Sequence, residues 1–293
     1  MRSETEMFAL ILDVAREDER IRAVLLNGSR ADKNVPKDIF QDYDVVYMVT
    51  GTASFIRDPG WIDVFGERFI LQLPDEMDKL LGHPYDFDKD YGYLMQFTDG
   101  NRIDLHIRER EYALAHLHED SCTVVLLDKD HALPPLPESS DKRHLVQRPS
   151  QDLFFCCCNE FWWVILYVAK GLWREEITYA MDALETLVRP QLLKMLTWYA
   201  GKLTDFSCGM GKSGKYLPRY LSGADWSKYL LTYPRADVPD IWDSVFTMAD
   251  LFDETAQQVG TDLGLIYNNV EAQNCLAYLR RIRTLPKDAA DIY

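Results

Sequence analysis

Residues 24 to 49 read VLLNGSRADKNVPKDIFQDYDVVYMV, and the fold is decided there. The apolar, β-branched run over 21–26 and a second over 45–49 predict two short strands. Between them sit the turn Gly28-Ser29-Arg30 and a polar loop whose Pro36 stops any helix begun over 30–33. The second strand opens on Asp42-Tyr43-Asp44. Strand residues two apart point to one face, so the Asp42 and Asp44 carboxylates converge. Two carboxylates held together repel unless a cation joins them, and hard oxygen donors suit Mg²⁺. Backbone N–H groups and the hydroxyl of Gly28-Ser29 suit a phosphate. On spacing alone a second reading stays open, in which the acids are a solvated strand entrance and Gly28 an ordinary turn former.

Working outward, Ser3 and Glu6 form a capping box for a helix over 4–16. Strands are expected at 68–73, 91–97 and 102–107, the last two flanking the hairpin turn Thr98-Asp99-Gly100-Asn101, and an edge strand at 123–128. In 102–107, Ile103, Leu105 and Ile107 alternate with Arg102, Asp104 and His106. Asp104 therefore meets Asp42 and Asp44 if the two strands are neighbours, and otherwise takes the outward position of a half-buried strand. Residues 109–119 suit a helix.

The segment 130–150 carries Pro134, Pro135, Pro137 and Pro149 and reads as a connection. Beyond it the pattern turns helical, with helices expected at 151–170, 178–188, 191–202, 241–259 and 262–283. This predicts an α+β protein with a sheet domain over 1–148 and a helical domain over 149–293.

The formal charge of −15 excludes a generic nucleic-acid backbone binder, which presents a basic surface. An apolar fraction of 47% without an uninterrupted membrane-length run predicts a globular protein with no membrane partner. Three of the six cysteines, Cys156 to Cys158, are consecutive, which suits neither a disulfide framework nor a zinc site. Reduced cysteines of this kind predict a cytoplasmic location.

In the helical half, Glu160 and Lys170 interrupt an aromatic, apolar helix. Lys170 is either a phosphate contact or a snorkelling surface residue, and Glu160 either a general base or part of a solvated face. Cys208 to Tyr216 mimics a phosphate-binding P-loop, but Tyr216 stands where Ser or Thr is required and the preceding segment reads as helix rather than strand. A basic turn with Lys212 or Lys215 covering a triphosphate is what remains of that motif.

Gly28-Ser29-Arg30, Asp42-Tyr43-Asp44 and Arg102-Ile103-Asp104-Leu105 together resemble the nucleotidyltransferase superfamily. With Met1-Arg2-Ser3-Glu4, Leu126-Leu127-Asp128-Lys129-Asp130, Cys157-Cys158-Asn159-Glu160-Phe161-Trp162, Val168-Ala169-Lys170-Gly171-Leu172 and Val188-Arg189-Pro190, the chain more closely resembles the aminoglycoside 6-adenylyltransferases. That resemblance implies a polymerase-β-like mixed sheet followed by a helical bundle, and Mg²⁺-dependent transfer of AMP from ATP to the 6-hydroxyl of streptomycin with release of pyrophosphate. It implies Gly28, Ser29 and Arg30 as the nucleotide-binding turn and Asp42, Asp44 and Asp104 as metal ligands. Lys170, Lys212, Lys215 and Tyr216 are the expected phosphate contacts from the helical side. Glu160 is the expected drug-facing carboxylate and proton acceptor, with Asp104 the competing base. Asp86, Asp88 and Asp182 are either further contacts for the guanidinium groups of streptomycin or ordinary surface acids, and Tyr85 and Trp173 either pack a sugar face or fill core. Two other functions stay open: adenylylation of another cationic hydroxyl compound, and a non-catalytic regulator on the same scaffold.

Overall fold

The computed structural model describes residues 1–32, 35–137 and 145–293. The chain forms two compact units, Met1–Arg143 and His144–Tyr293, each with its own core. The proline-rich connection expected over 130–150 includes residues 138–144, and the expected helix start over 30–33 includes Lys33; both lie partly outside the described residues.

The first unit opens with helix α1 (Glu4–Glu17), whose Ser3 and Glu6 make the expected reciprocal cap. Strand β1 (Ile21–Asn27) runs into a single helical turn, α2 (Gly28–Ala31). Strand β2 (Tyr43–Val49), the short helix α3 (Ala53–Ile56) and a 3₁₀ turn (Trp61–Phe65) follow. Next come β3 (Arg68–Gln72), α4 (Pro74–Leu80), the hairpin β4 (Asp90–Phe97) and β5 (Arg102–Glu109), then α5 (Arg110–Ala115) and β6 (Val124–Asp128). They make one sheet of order β3-β4-β5-β2-β1-β6, antiparallel except where β2 lies parallel to β5.

Alternation gives this sheet one face with the main core and a second with two smaller apolar clusters, Ala23-Met48-Ala113 and Leu25-Val46-Leu117. Tyr43, Val45, Tyr47 and Val49 of β2 and Ile103, Leu105 and Ile107 of β5 pack with Met7, Ile11 and Ala15 of α1. The buried Tyr47 hydroxyl is satisfied by donating to the Ile11 carbonyl at 2.6 Å. The opposite face carries Asp44 and Asp104.

The second unit is built around α6 (Gln151–Trp173), capped by the Ser150 hydroxyl. That helix is long and apolar enough to cross a membrane by length and composition, yet its apolar side is the core of this unit. Around it lie α7 (Ile177–Ala183), a π turn (Leu184–Val188), α8 (Arg189–Leu203), α9 (Gly223–Leu230), α10 (Val238–Leu263) and α11 (Asn269–Thr284). The Phe161 and Phe252 rings stack at 3.7 Å between α6 and α10. A last helix starting at residue 262 is not observed. Gly264, in the left-handed region at φ 69°, ends α10, and α11 starts at Asn269 behind the Asn268 cap.

Candidate active site

The parallel pairing of β2 with β5 sets Asp44 directly beside Asp104 in register. Asp42 stands two residues before Asp44, and one oxygen from each of Asp42, Asp44 and Asp104 lies within 4.8 Å of the other two. All three residues are half-buried. The end of β1 closes over them. Gly28 takes φ 69°, and a Cβ added there would sit 2.1 Å from Asp44 Oδ2. Only glycine lets the turn lie against that carboxylate.

Arg30 reinforces the arrangement from below. Its Nε donates to the Asp42 carbonyl at 2.8 Å and its Nη2 to the Gln41 carbonyl at 2.7 Å, while the guanidinium lies 3.8 Å from the centre of the Tyr43 ring. The expected nucleotide contact is thus occupied in fixing the backbone that presents Asp42. Ser29 Oγ lies 3.4 Å from the Gln41 side-chain nitrogen.

A second clasp comes from a loop that the motifs did not mark. Asp120 accepts the Gly28 N–H at 3.1 Å and the Cys122 N–H at 2.8 Å, and the Thr123 hydroxyl donates to Asn27 Oδ1 at 3.0 Å. Among the described residues two buried side-chain oxygens, Gln41 Oε1 and Ser121 Oγ, have no hydrogen-bond partner, one in each segment that holds the turn. Buried polar atoms without protein partners are places where water or a ligand completes the bonding. In sequence, Asp120 precedes Ser121-Cys122-Thr123 and gives only a turn signal.

Electrostatically the cluster is short of positive charge. Burial, then the neighbouring Asp42 and Asp104 carboxylates, push the Asp44 carboxyl up to about 7. Arg102 Nε and Nη2 donate to the two oxygens of Asp104 at 2.7 Å each, whereas the side chains of Asp42 and Asp44 accept no hydrogen bond among the described residues. Three hard oxygen donors gathered around one point with so little compensation form a donor set that fits Mg²⁺. On the same face, His106 Nδ1 lies 2.9 Å from Asp90 Oδ1, and Arg108 Nε donates to Asp90 Oδ2 at 3.0 Å.

Of the other predicted residues, Tyr85, Asp86 and Asp88 belong to the first unit and the rest to the second. Asp86 and Asp88 are exposed on the loop before β4, Asp86 pairing with Lys89 at 3.2 Å. Tyr85, beside them, is half-buried with its ring centre 5.7 Å from that of Phe87. In the second unit α6 exposes Glu160, without a hydrogen bond or ion pair among the described residues, and Lys170, whose Nζ lies 5.2 Å from the centre of the Tyr167 ring. Trp173, at the end of α6, donates to the Leu285 carbonyl at 3.1 Å and so packs on the C-terminal segment. Asp182 is exposed on α7. Lys212 and Lys215 are exposed on a tight turn, Lys215 lying 5.1 Å from the centre of the half-buried Tyr216 ring. That turn follows helix α8 rather than a strand, as the rejected P-loop reading requires.

The family model for streptomycin adenylyltransferase matches residues 1–282. An aminoglycoside 6-adenylyltransferase of Bacillus subtilis (strain 168) is 40% identical over 270 residues, covering 91% of this chain and 93% of the relative. One of Campylobacter jejuni is 39% identical over 269 residues, covering 91% of each. A crystal structure of an aminoglycoside 6-adenyltransferase from Bacillus subtilis covers 97% of this chain and 100% of its own, at 35% identity and a TM-score of 0.48.

Proposed function

The chain belongs to the aminoglycoside 6-adenylyltransferase family of the nucleotidyltransferase superfamily, and from that premise we propose that it transfers AMP from ATP to the 6-hydroxyl of streptomycin, releasing pyrophosphate. The observation that carries the proposal is the register of β2 on β5, which gathers Asp42, Asp44 and Asp104 beneath the Gly28 turn.

In this reading Asp42, Asp44 and Asp104 hold Mg²⁺. The ion supplies charge stabilisation for the phosphoryl oxygens and the departing pyrophosphate. The chain's own groups do the rest. Asp120 holds the Gly28 turn, so that the Ser29 hydroxyl and the N–H groups beyond it face the β and γ phosphate oxygens. Arg30 fixes the peptide of Asp42, which keeps that carboxylate aimed at the cluster. Lys170, Lys212, Lys215 and Tyr216 are the proposed phosphate contacts of the helical unit.

The acceptor hydroxyl must lose a proton as the new P–O bond forms. Glu160 is the proposed acceptor of that proton, because its carboxylate is exposed and has no partner among the described residues while Asp104 is assigned to the metal. Carboxylates also suit the guanidinium groups of streptomycin, and the acidic balance of the chain, −15, favours the approach of such a cation.

Incubation with ATP, Mg²⁺ and a panel of aminoglycosides tests the proposal. Mass spectrometry is expected to find streptomycin heavier by one AMP, and NMR to place the phosphodiester at the 6-oxygen. A folded, ATP-binding protein that leaves streptomycin unmodified overturns the substrate; modification at another oxygen overturns the position.

A further inference from the structure

Asp104 already has a cation. Arg102 precedes it by two residues on β5, so both side chains leave the same face of the sheet. The guanidinium forks onto the carboxylate, Nε to Oδ1 and Nη2 to Oδ2, both at 2.7 Å. Asp104 is 16% exposed and Arg102 44% exposed, so the pair has one anchored and one mobile partner.

This pairing sits where it must interfere with the metal. A divalent cation shared by Asp42, Asp44 and Asp104 draws on an oxygen that Arg102 now occupies, and brings like charges within a few ångströms of each other. A planar fork that fits a carboxylate fits two phosphate oxygens equally well. Half exposed at the start of its strand, the side chain can turn from one to the other without repacking the core.

We propose that Arg102 is the resident counter-cation of the carboxylate cluster. It covers Asp104 in the metal-free protein, yields when a divalent ion binds, and then contacts the polyphosphate of the nucleotide. Metal and nucleotide are thereby coupled: each helps the other bind, because each favours the arrangement in which Arg102 has left Asp104. The inference rests on the metal-and-nucleotide part of the proposed function and is independent of the acceptor.

The test measures binding without any aminoglycoside. Free Mn²⁺ is followed by electron paramagnetic resonance, with and without α,β-methylene-ATP, for the unmodified protein, Arg102→Met and Arg102→Lys. Arg102→Met is expected to bind Mn²⁺ alone about tenfold more tightly, because a repelling charge is gone. It is expected to bind the nucleotide analogue at saturating Mn²⁺ about tenfold more weakly, because the fork is gone. Arg102→Lys keeps the charge and loses the fork, so metal affinity stays near that of the parent and nucleotide affinity falls. Opposite signs are what a purely structural role cannot give. Metal binding that is unchanged or weaker in a folded Arg102→Met protein overturns the proposal. Should Arg102→Met not fold, Arg102→Lys decides: unchanged nucleotide affinity overturns it. A parent protein whose Mn²⁺ binding is absent, or survives Asp42→Asn, removes both this inference and the metal site. Failure to modify streptomycin touches neither measurement.

Discussion

Arg189 in the helical unit and the carboxylate cluster on the sheet handle charge in opposite ways. In the helical unit Arg189 is 7% exposed and paired with a carboxylate. It donates to both oxygens of Glu185 at 2.6 and 2.7 Å and to the hydroxyl and carbonyl of Thr232 at 2.7 and 2.8 Å, and lies 3.6 Å from the centre of the Tyr233 ring. At the start of the central strands β2 and β5 three carboxylates meet, one of them paired with a guanidinium and two with no bonded partner among the described residues. A buried charge matched by a carboxylate and further acceptors supports structure; a half-buried cluster left short of charge is arranged for something that binds.

The contrast breaks if the two places respond alike to substitution. Asp42→Asn, Asp44→Asn and Asp104→Asn each remove a metal donor, and each is expected to lower kcat by roughly a thousandfold or more, in line with losing the main electrostatic stabilisation of a phosphoryl transfer. Full turnover by the Asp42 or Asp44 variant contradicts their role. Gly28→Ala forces a Cβ into Asp44 Oδ2 at a positive φ. Turnover is expected to fall by about a hundredfold, since a displacement near 1 Å at the reacting centre has that effect. Steady-state kinetics on protein with unchanged circular dichroism checks both.

Arg189→Met should do the reverse. Removing one partner of a buried pair costs about 3 kcal/mol, read as a lower urea midpoint, while kcat of the folded fraction stays near that of the parent. A large drop in kcat without loss of stability would put Arg189 in the active site instead.

How much of this contrast was legible in the sequence depends on how local each feature is. The Gly28 turn, the Asp42-Tyr43-Asp44 spacing and the alternation through Asp104 are local and stood out. The parallel pairing that joins Asp44 to Asp104 is not, because nothing in either strand names its neighbour; the resemblance supplied what periodicity left conditional. Asp120 was missed for the same reason: it reaches Gly28 across 92 residues. Trp173 suited a sugar face until the chain returned at Leu285 to accept its N–H. No helix was expected after the strand at 68–73, although proline suits the first turn of a helix, and α4 begins on Pro74. Periodicity ran straight through Gly264 for want of a signal stronger than one glycine.

The smallest predicted effect sharpens the contrast most. The Asp44 carboxyl sits at about 7 in the fold, above its unfolded value, so the native state is disfavoured once that group ionises. Below roughly pH 4 the group is neutral in both states, and the penalty grows as pH rises through the interval up to about 7. In metal-free protein Asp44→Asn should therefore raise Tm by a few °C at pH 8, corresponding to about 1 kcal/mol after solvent screening, and leave it unchanged near pH 4. Calorimetry at the two pH values checks this; equal Tm at pH 8 would mean that the cluster carries no strain.

The most direct measurement is a crystal structure with Mg²⁺ and α,β-methylene-ATP bound. A cation about 2.1 Å from an oxygen of Asp42 and of Asp44, touching the triphosphate with Asp104 alongside, is the predicted result. A triphosphate bound away from the Gly28 turn, or no cation between it and these carboxylates, contradicts the account.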